Sequence, residues 1–279
     1  MPNLRISLEN ILPRASIVAS LTAASATNAY AAANLQKNYK ALVHRSTGTS
    51  VQYDLTFTNT ETFNFISIPV CNYSPTVTVQ VRVYTLAGDA TPNYTQAAFA
   101  AGPAPAILVR GKTAAQSASA YAYGGGHAVR VYLPNCSGKL VRINIVDTNN
   151  LQAAVEASSI WIGTYWSPAI NMDYGVSLTY MDETTHKTTA ASDLVSTIGT
   201  RKRKLKFNIS KMREVDRVQL VEMMRANGKG WPMFASFFPA DALPKMERDY
   251  EGIWKLSETS EMVLEFMDTY NAQIELLEV

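Results

Sequence analysis

The hydrophobic residues of the first two thirds of the chain recur at every second position. The clearest run consists of Val77, Val79, Val81 and Val83. Because successive side chains of a strand point to opposite faces, this run predicts a half-buried strand with four β-branched residues on its buried face. The residues that alternate with the valines are Thr78, Gln80, Arg82 and Tyr84.

Weaker runs of the same kind predict further short strands before residue 195. They lie at 51–57, 63–68, 106–109, 128–133, 140–146, 159–166 and 176–180. Turn-forming residues separate them at 72–75, 88–93, 124–126, 134–138 and 147–150. Short strands without a convincing long helix between them are typical of a mainly β protein built as an antiparallel β-sandwich or jelly roll.

The pattern changes after Thr197. Leu205, Phe207 and Ile209 predict a strand, and residues 215–226 predict a helix that ends at Gly228. The apolar residues at helical spacing, which we expect to be buried, are Val218, Leu220, Val221 and Met224. Residues 232–239, 250–256 and 262–279 complete an order of strand, helix, strand, strand, strand.

Charge marks the same boundary. Residues 1–195 contain 22 charged side chains, whereas the 84 residues from 196 to 279 contain 26. We therefore predict a weakly charged β-sandwich domain over 1–195 and a smaller, charged α+β domain over 196–279. The second domain is too short to bury more than a modest core, so we expect it to pack on the sandwich or on a neighbouring chain.

The overall composition excludes several classes of protein. The chain has 279 residues, 47% of them hydrophobic and 17% charged, with a net charge of +2. These values do not indicate disorder or a specific nucleic-acid binder. Cys71 and Cys136 are too few for a disulfide framework; buried free thiols are favoured, and a single bridge stays open.

The segment from Ala15 to Ala33 is rich in small and apolar residues and ends near an Ala-Tyr-Ala-Ala sequence. Glu9 and Arg14, together with the Ser, Thr and Asn residues within the segment, argue against a secretory signal. No stretch reaches the roughly 18 apolar residues of a membrane helix. We expect a protein that is made in the cytoplasm and does not insert into membranes.

The histidines and glycines do not form a recognisable site. His44, His127 and His186 are far apart and lack the spacing of a helical metal site, so we expect surface or hydrogen-bonded loop histidines. The glycine-rich stretch 121–127 lacks a phosphate-loop pattern and is interpreted as a hairpin tip, whose tyrosines remain candidates for an interface. No metal or cofactor is predicted.

The densest basic run has two interpretations. It consists of Arg201, Lys202, Arg203, Lys204 and Lys206. A strand face that is solvated or paired with carboxylates is favoured over a phosphate-binding surface, because the surrounding segment is neutral.

Catalytic motifs are missing from the sequence. Glu247, Asp249 and Glu251 alternate and could share a strand face, but nothing marks them as a paired acid and base. No GxSxG nucleophile motif occurs. The aromatic group Trp161, Tyr165 and Trp166 has the composition of a sugar-stacking platform, although only Trp161 and Tyr165 share a face, and core packing is favoured. We therefore expect a non-catalytic protein.

Two family resemblances add to these predictions. The segments 15–20 (Ala-Ser-Ile-Val-Ala-Ser), Asn34-Leu35, His44-Arg45-Ser46 and Tyr53-Asp54-Leu55 resemble the opening of galactose-binding-like (discoidin-type) jelly rolls. The resemblance implies that fold for the sandwich. No calcium or sugar position is carried over, because His44-Arg45-Ser46 lacks the tryptophan of the family pattern.

The second resemblance covers most of the chain. The sequences that carry it are Trp166-Ser-Pro-Ala-Ile-Asn171, Tyr174-Gly175, the 201–207 strand with the following helix, Pro232-Met-Phe-Ala-Ser-Phe-Phe-Pro239, and 250–256. They are similar to tail-tip or baseplate virion proteins of tailed bacteriophages. The resemblance implies a structural subunit of a homo-oligomeric ring around the tail axis, in contact with other tail or baseplate proteins and assembled in the host cytoplasm.

Three functions follow as hypotheses. The first is a structural protein of a phage tail tip or upper baseplate, in which the charged domain makes the contacts between subunits. The alternative is a carbohydrate-binding module or adhesin that recognises a host-surface glycan through loops of the sandwich. The third, a polysaccharide hydrolase, requires two converging carboxylates that the sequence does not reveal.

Overall fold

The structure, a computed structural model, describes residues 3–20, 30–37, 39, 41–74, 76–101, 129–150, 152–197, 199–239, 249–257, 261–266 and 269–279. The protein is mainly β with antiparallel sheets, which confirms the predicted class. The predicted strand 106–109 and the glycine-rich stretch 121–127 lie outside the described residues. No helix among the described residues is long and apolar enough to cross a membrane.

The strands are numbered in chain order. They are β1 (Arg5–Ser7), β2 (Ala15–Ser20), β3 (His44–Arg45), β4 (Ser50–Ile68), β5 (Thr78–Tyr84), β6 (Tyr94–Ala100), β7 (Val129–Val146), β8 (Glu156–Ala157), β9 (Trp161–Gly163), β10 (Tyr165–Trp166), β11 (Ser177–Asp182), β12 (Thr185–Thr188), β13 (Leu194–Thr197), β14 (Arg201–Met212), β15 (Met233–Ser236), β16 (Glu251–Leu256), β17 (Glu261–Phe266) and β18 (Thr269–Glu278). The helices are the 3₁₀ segments Leu12–Arg14 and Ala32–Gln36 and the α-helix α1 (Glu214–Asn227).

The chain divides into two compact units. The first unit comprises Ser7–Tyr165 with Ala240–Glu251, and the second comprises Met1–Ile6, Trp166–Pro239 and Gly252–Val279. This division differs from the predicted boundary at 195/196. The weakly charged strand β11 pairs along its whole length with the charged strand β14, and this pairing places both in the second unit. Composition therefore changes within that unit rather than at its edge.

The first unit is built on a six-stranded sheet, here called the first sheet, with the strand order β2-β4-β7-β5-β6 and β9 paired to β4. Strand β4 joins the two strands predicted at 51–57 and 63–68. The turn predicted at 134–138 is wrong, because β7 runs through it. Phe63 of β4 pairs with Cys136 of β7, and Phe65 pairs with Tyr132. The register therefore shifts between these pairs, and the extra residues of β7 form a bulge instead of a turn.

The buried face of the first sheet holds the predicted valines. Val79, Val81 and Val83 belong to β5, and Val77 directly precedes it; all four are buried in one cluster. The same cluster also contains residues of the 3₁₀ segments and of the two-stranded sheet β3–β8, such as Leu12, Leu35 and Ala157. Residues outside the first sheet thus help to cover its apolar face, as a layered β fold requires.

The second unit contains an eight-stranded sheet, here called the second sheet, with the order β10-β1-β15-β16-β18-β14-β11 and β17 paired to β18. Leu205, Phe207 and Ile209 form the buried face of β14, as predicted. The predicted final strand 262–279 is two strands, β17 and β18.

Helix α1 has the predicted length and end but a different buried face. Gly228 follows it at φ +49° and donates its N–H to the carbonyl of Met224. The buried positions are Asp216, Leu220, Met223 and Asn227, so Leu220 is buried as expected, whereas Val218 is exposed. The buried face differs from the expected one because Asp216 Oδ1 accepts Trp166 Nε1–H at 3.3 Å and its Oδ2 accepts the N–H of Ala169 at 3.1 Å. These bonds turn a carboxylate inward.

Candidate functional site

The two histidines that the structure describes have structural roles. His44 is fully buried in β3, which contradicts a surface position, and its Nδ1 shares a hydrogen bond of 2.9 Å with the Tyr53 hydroxyl. Burial lowers the pKa of His44 to about 4. His186 is exposed on β12 and bonds Ser196 Oγ at 2.8 Å, as expected for a surface histidine. His127 lies outside the described residues.

The aromatic group does not form a stacking platform. Trp161 is buried and donates its Nε1–H to Ser7 Oγ at 2.9 Å. Tyr165 packs edge-on against Tyr132 at a centroid distance of 5.7 Å. These contacts agree with the core packing that the sequence favoured.

The basic run on β14 pairs with carboxylates. Arg201 contacts Asp182 at 2.9 Å, Lys202 contacts Glu183 at 3.3 Å, Arg203 contacts Glu278 at 2.9 Å and Lys204 contacts Glu275 at 2.6 Å. Arg203 also lies over the ring of Trp254, 5.1 Å from its centroid. The geometry supports a cross-paired strand face rather than a phosphate-binding surface.

The remaining candidate residues are also tied into the fold. Glu251 is buried and accepts a hydrogen bond from Arg130 at 2.8 Å, while Glu247 lies outside the described residues. Cys71 and Cys136 are buried thiols that are not joined in a disulfide, and burial raises the pKa of Cys71 to about 12. Within the described ranges, no group of three or more His, Cys, Asp or Glu side chains could hold a metal ion.

The surface with the most organised polar chemistry is the outer face of the first sheet. We define the outer face by four rows of directly paired residues that cross its strands. These are Ser50-Val146-Thr78-Ala100, the amide row Ser20-Gln52-Asn144-Gln80, the arginine row Val18-Asp54-Arg142-Arg82-Thr95, and Ser16-Thr56-Leu140-Tyr84. Directly paired side chains of neighbouring strands lie side by side on one face, so each row is contiguous.

An ion pair forms the centre of the outer face. Arg142 donates from Nε to Asp54 Oδ1 at 2.8 Å and from a terminal nitrogen to Asp54 Oδ2 at 3.0 Å. Gln52 Nε2 donates to both oxygens of the same carboxylate at 3.1 Å. The hydrogen bonds with Asp54 are the main reason that the pKa of Arg142 is raised. The side chains of Asp54 and Arg142 are 22% and 29% exposed, so water and ligands reach them.

Neutral groups flank the ion pair. Asn144 Nδ2 donates to Gln80 Oε1 at 3.5 Å, and the guanidinium of Arg142 lies 5.4 Å from the ring centroid of Tyr84. Asn144 Oδ1 is buried and has no hydrogen-bond partner among the described residues. A buried acceptor without a partner is rare in folded proteins and is unfavourable.

Arg82 is the one cation of the outer face for which the described residues offer no ion pair or hydrogen bond. It is half-buried and pairs directly with Arg142 on one side and with Thr95 on the other. Sequence reasoning placed Gln80, Arg82 and Tyr84 on the polar side of a strand. The alternation of polar and apolar residues along the strand predicts this side, but it does not show which residues of other strands stand beside them.

A second polar feature lies on the second sheet. A depression of about 250 Å³ is lined by Asn208, Ser210, Val263, Asn271, Ala272 and Gln273. Its lining offers amides and a hydroxyl. Unlike the outer face, it has no charged lining residue and therefore offers fewer kinds of polar interaction.

No protein-family model matches the sequence, and no curated protein sequence matches it. Similar solved structures include a fucose-binding module of Streptococcus pneumoniae, with 13% identity over 57% of this chain and 100% of that chain and a TM-score of 0.37. A Clostridium perfringens CBM32 module in complex with GalNAc-β-1,3-galactose has 7% identity over 56% of this chain and 99% of that chain, at a TM-score of 0.36. A chitosan-binding module from a Paenibacillus chitosanase/glucanase has 11% identity, coverages of 55% and 98%, and a TM-score of 0.35. The fold class itself rests on the strand pairing given above.

Proposed function

We propose that the protein is a non-catalytic carbohydrate-binding protein and that the outer face of the first sheet binds the glycan. The observation that carries this proposal is the contiguous arrangement of Gln52, Asp54, Arg142, Asn144 and Gln80, each hydrogen-bonded to another member of the group. Their side chains are held in place before any ligand arrives, which lowers the entropy lost on binding.

The chemistry of these groups fits sugar hydroxyls. A hydroxyl both donates and accepts, and an amide side chain offers both functions in a single plane. The half-buried amides of Gln52 and Gln80 supply such groups, and the guanidinium of Arg142 supplies donors on the strand between them. A face that is several strands wide can accommodate more than one sugar ring, so we expect oligosaccharides to bind more tightly than monosaccharides.

The proposal is non-catalytic because the carboxylate of the outer face is already engaged. Both oxygens of Asp54 accept hydrogen bonds from Arg142 and Gln52. Both oxygens are therefore occupied by donors from within the protein. Asp54 is also the only acidic residue in the four rows, whereas glycoside hydrolysis ordinarily uses two carboxyl groups.

A glycan array tests the proposal. The wild-type protein is compared with the double variant Asn144→Ala/Gln80→Ala, and with Gln273→Ala as a matched loss of an amide on the second sheet. We expect the double variant to lose at least about tenfold in affinity, since two or more hydrogen bonds are removed, and Gln273→Ala to bind normally. Circular dichroism checks that each variant is folded.

Two results would contradict the proposal. Wild-type protein that retains no glycan would remove the function itself. Binding that survives in the double variant but is lost in Gln273→Ala, or in Tyr39→Ala as an exposed loop aromatic, would place the site elsewhere.

A second candidate function is the assembly role implied by the phage-tail resemblance. The observation that favours it is a two-stranded arm formed by β12 and β13, in which every residue is exposed. Leu194 and Val195 of this arm are 66% and 53% exposed. A two-stranded hairpin is marginally stable in water by itself, so contact with another subunit would stabilise it. The assignment to a virion tail rests on the sequence resemblance.

Light scattering after size-exclusion chromatography tests this second function. We expect the wild-type protein to form an oligomer that dissociates in Leu194→Ser/Val195→Ser. Leu86→Ser, which changes an exposed leucine of the first unit, should leave the oligomer intact. A monomeric wild-type protein would contradict the assembly role.

A further inference from the structure

We propose that the outer face selects acidic saccharides and that Arg82 binds the negatively charged group of the ligand. This inference rests on the proposed function and names its ligand class. It begins with the direct pairing of Arg82 on β5 with Arg142 on β7. Residues paired in this way have Cα atoms about 4.5–5.5 Å apart, and like charges at such positions are unfavourable unless an opposite charge compensates them.

Only one of the two arginines is compensated by the described residues. Asp54 pairs with Arg142 through two hydrogen bonds, while Gln52 occupies the same carboxylate from its other side. In the arginine row, strand β7 with Arg142 lies between Asp54 on β4 and Arg82 on β5. The carboxylate of Asp54 therefore pairs with Arg142 and not with Arg82. The charged residues of the four rows are Asp54, Arg142 and Arg82, which leaves the outer face with one excess positive charge.

The surroundings of Arg82 indicate what kind of anion would fit. Gln80 lies two residues away on the same face of β5, and Thr95 stands beside Arg82 on β6. These are neutral hydrogen-bonding groups suited to the hydroxyls of a sugar ring. A guanidinium presents a planar fork of donors that matches a carboxylate or a sulfate. The ligand chemistry is therefore an oxyanion carried on a saccharide.

Partial burial strengthens this interaction relative to a fully exposed lysine or arginine. Arg82 is half-buried in the middle of the sheet rather than at a loop tip. Its charge is thus less screened by water and salt than that of an exposed side chain. We expect an acidic saccharide to bind at least about tenfold more tightly than its neutral parent, and we expect this preference to decrease as the salt concentration rises.

The experiment measures the ratio of acidic to neutral binding for matched ligands. A glycan array is used that carries neutral glycans together with their sulfated and carboxylate-bearing derivatives, such as lactose, lactose 3′-sulfate and 3′-sialyllactose. The proteins are wild type, Arg82→Gln, Arg82→Lys and Lys139→Gln. Lys139 lies outside the four rows of the outer face, so Lys139→Gln is a control that removes one positive charge without changing a residue of that face.

We expect the wild type and Lys139→Gln to prefer acidic glycans, Arg82→Gln to lose the preference, and Arg82→Lys to keep part of it. The sulfated and carboxylate-bearing arms show which oxyanion is selected. A wild type that binds neutral and acidic glycans equally, or an Arg82→Gln variant that keeps the preference, overturns the inference. If neutral glycans then still bind in a way that depends on Asn144 and Gln80, the proposed carbohydrate-binding function is retained. A wild type that binds no glycan of any class contradicts both the proposed function and the inference on acidic saccharides.

Discussion

Acidification should destabilise the folded protein through His44. The imidazole is fully buried, Nδ1 shares its hydrogen bond with the Tyr53 hydroxyl, and Nε2 has no hydrogen-bond partner among the described residues. A second proton would therefore place an uncompensated charge in the core of the first unit. In the unfolded chain the same side chain is hydrated and takes up a proton at its ordinary pKa.

The magnitude follows from the two pKa values. Burial lowers the pKa of His44 from 6.5 to about 4. Above 6.5 both states are neutral and the histidine has no pH-dependent effect. Between these values the unfolded state binds the proton and the folded state does not, so stability is lost as the pH falls, at about 1.4 kcal/mol per pH unit. At pH 5 the loss reaches about 2 kcal/mol.

Urea denaturation at about pH 7.5 and pH 5 measures this loss when the wild type is compared with His44→Gln, which cannot titrate. We expect the free energy of unfolding of the wild type to fall by about 2 kcal/mol more than that of the variant. The buried Glu156, whose pKa is raised by burial, is present in both proteins, so its contribution cancels in the difference. Equal pH dependence in the two proteins would refute the reasoning.

Two further predictions concern packing and reactivity. Gly138→Ala should destabilise the first unit by about 1–3 kcal/mol, because a Cβ there would overlap the Tyr84 carbonyl oxygen and lie 2.8 Å from Cγ1 of Val83. Gly88→Ala, with open space around its Cβ, is the control, and equal urea midpoints for the two variants would contradict the prediction. Cys71 should resist iodoacetamide in the native protein at about pH 8, because its thiol is buried and its pKa is raised to about 12. Mass spectrometry should find it alkylated only after unfolding in urea, and rapid labelling of the native protein would show that the site opens.

The candidate site was only partly predictable. The alternation around Val79 and Val81 correctly placed Gln80 and Arg82 on the half-buried polar side of β5, whereas Tyr84 is buried. It could not show that Arg82 stands beside Arg142, because that pairing joins residues sixty positions apart and depends on strand register. Of the aromatic residues that suggested a sugar platform, Trp161 is buried in the core, since burial stabilises a large ring more than exposure on a strand does, and Tyr165 packs against Tyr132.

The same limit applies to the helix. Its length and its end at Gly228 follow from local propensity, and both were predicted. Its buried face was not, because Asp216 is drawn inward by Trp166 and the backbone of Ala169. A carboxylate that receives such bonds can be buried where the apolar spacing alone would leave it in solvent.

The sequence by itself determined the mainly β class, the buried valine face, the buried face of β14 and the position of the helix. These features depend on short-range periodicity and backbone sterics, which act over a few residues. Only the tertiary structure decided the division into units, the continuity of β7 through 134–138, the burial of His44 and the pairing of Arg82 with Arg142. Each of these depends on which distant strands meet and in what register, and that choice is made by the combined burial and hydrogen bonding of residues far apart in the chain.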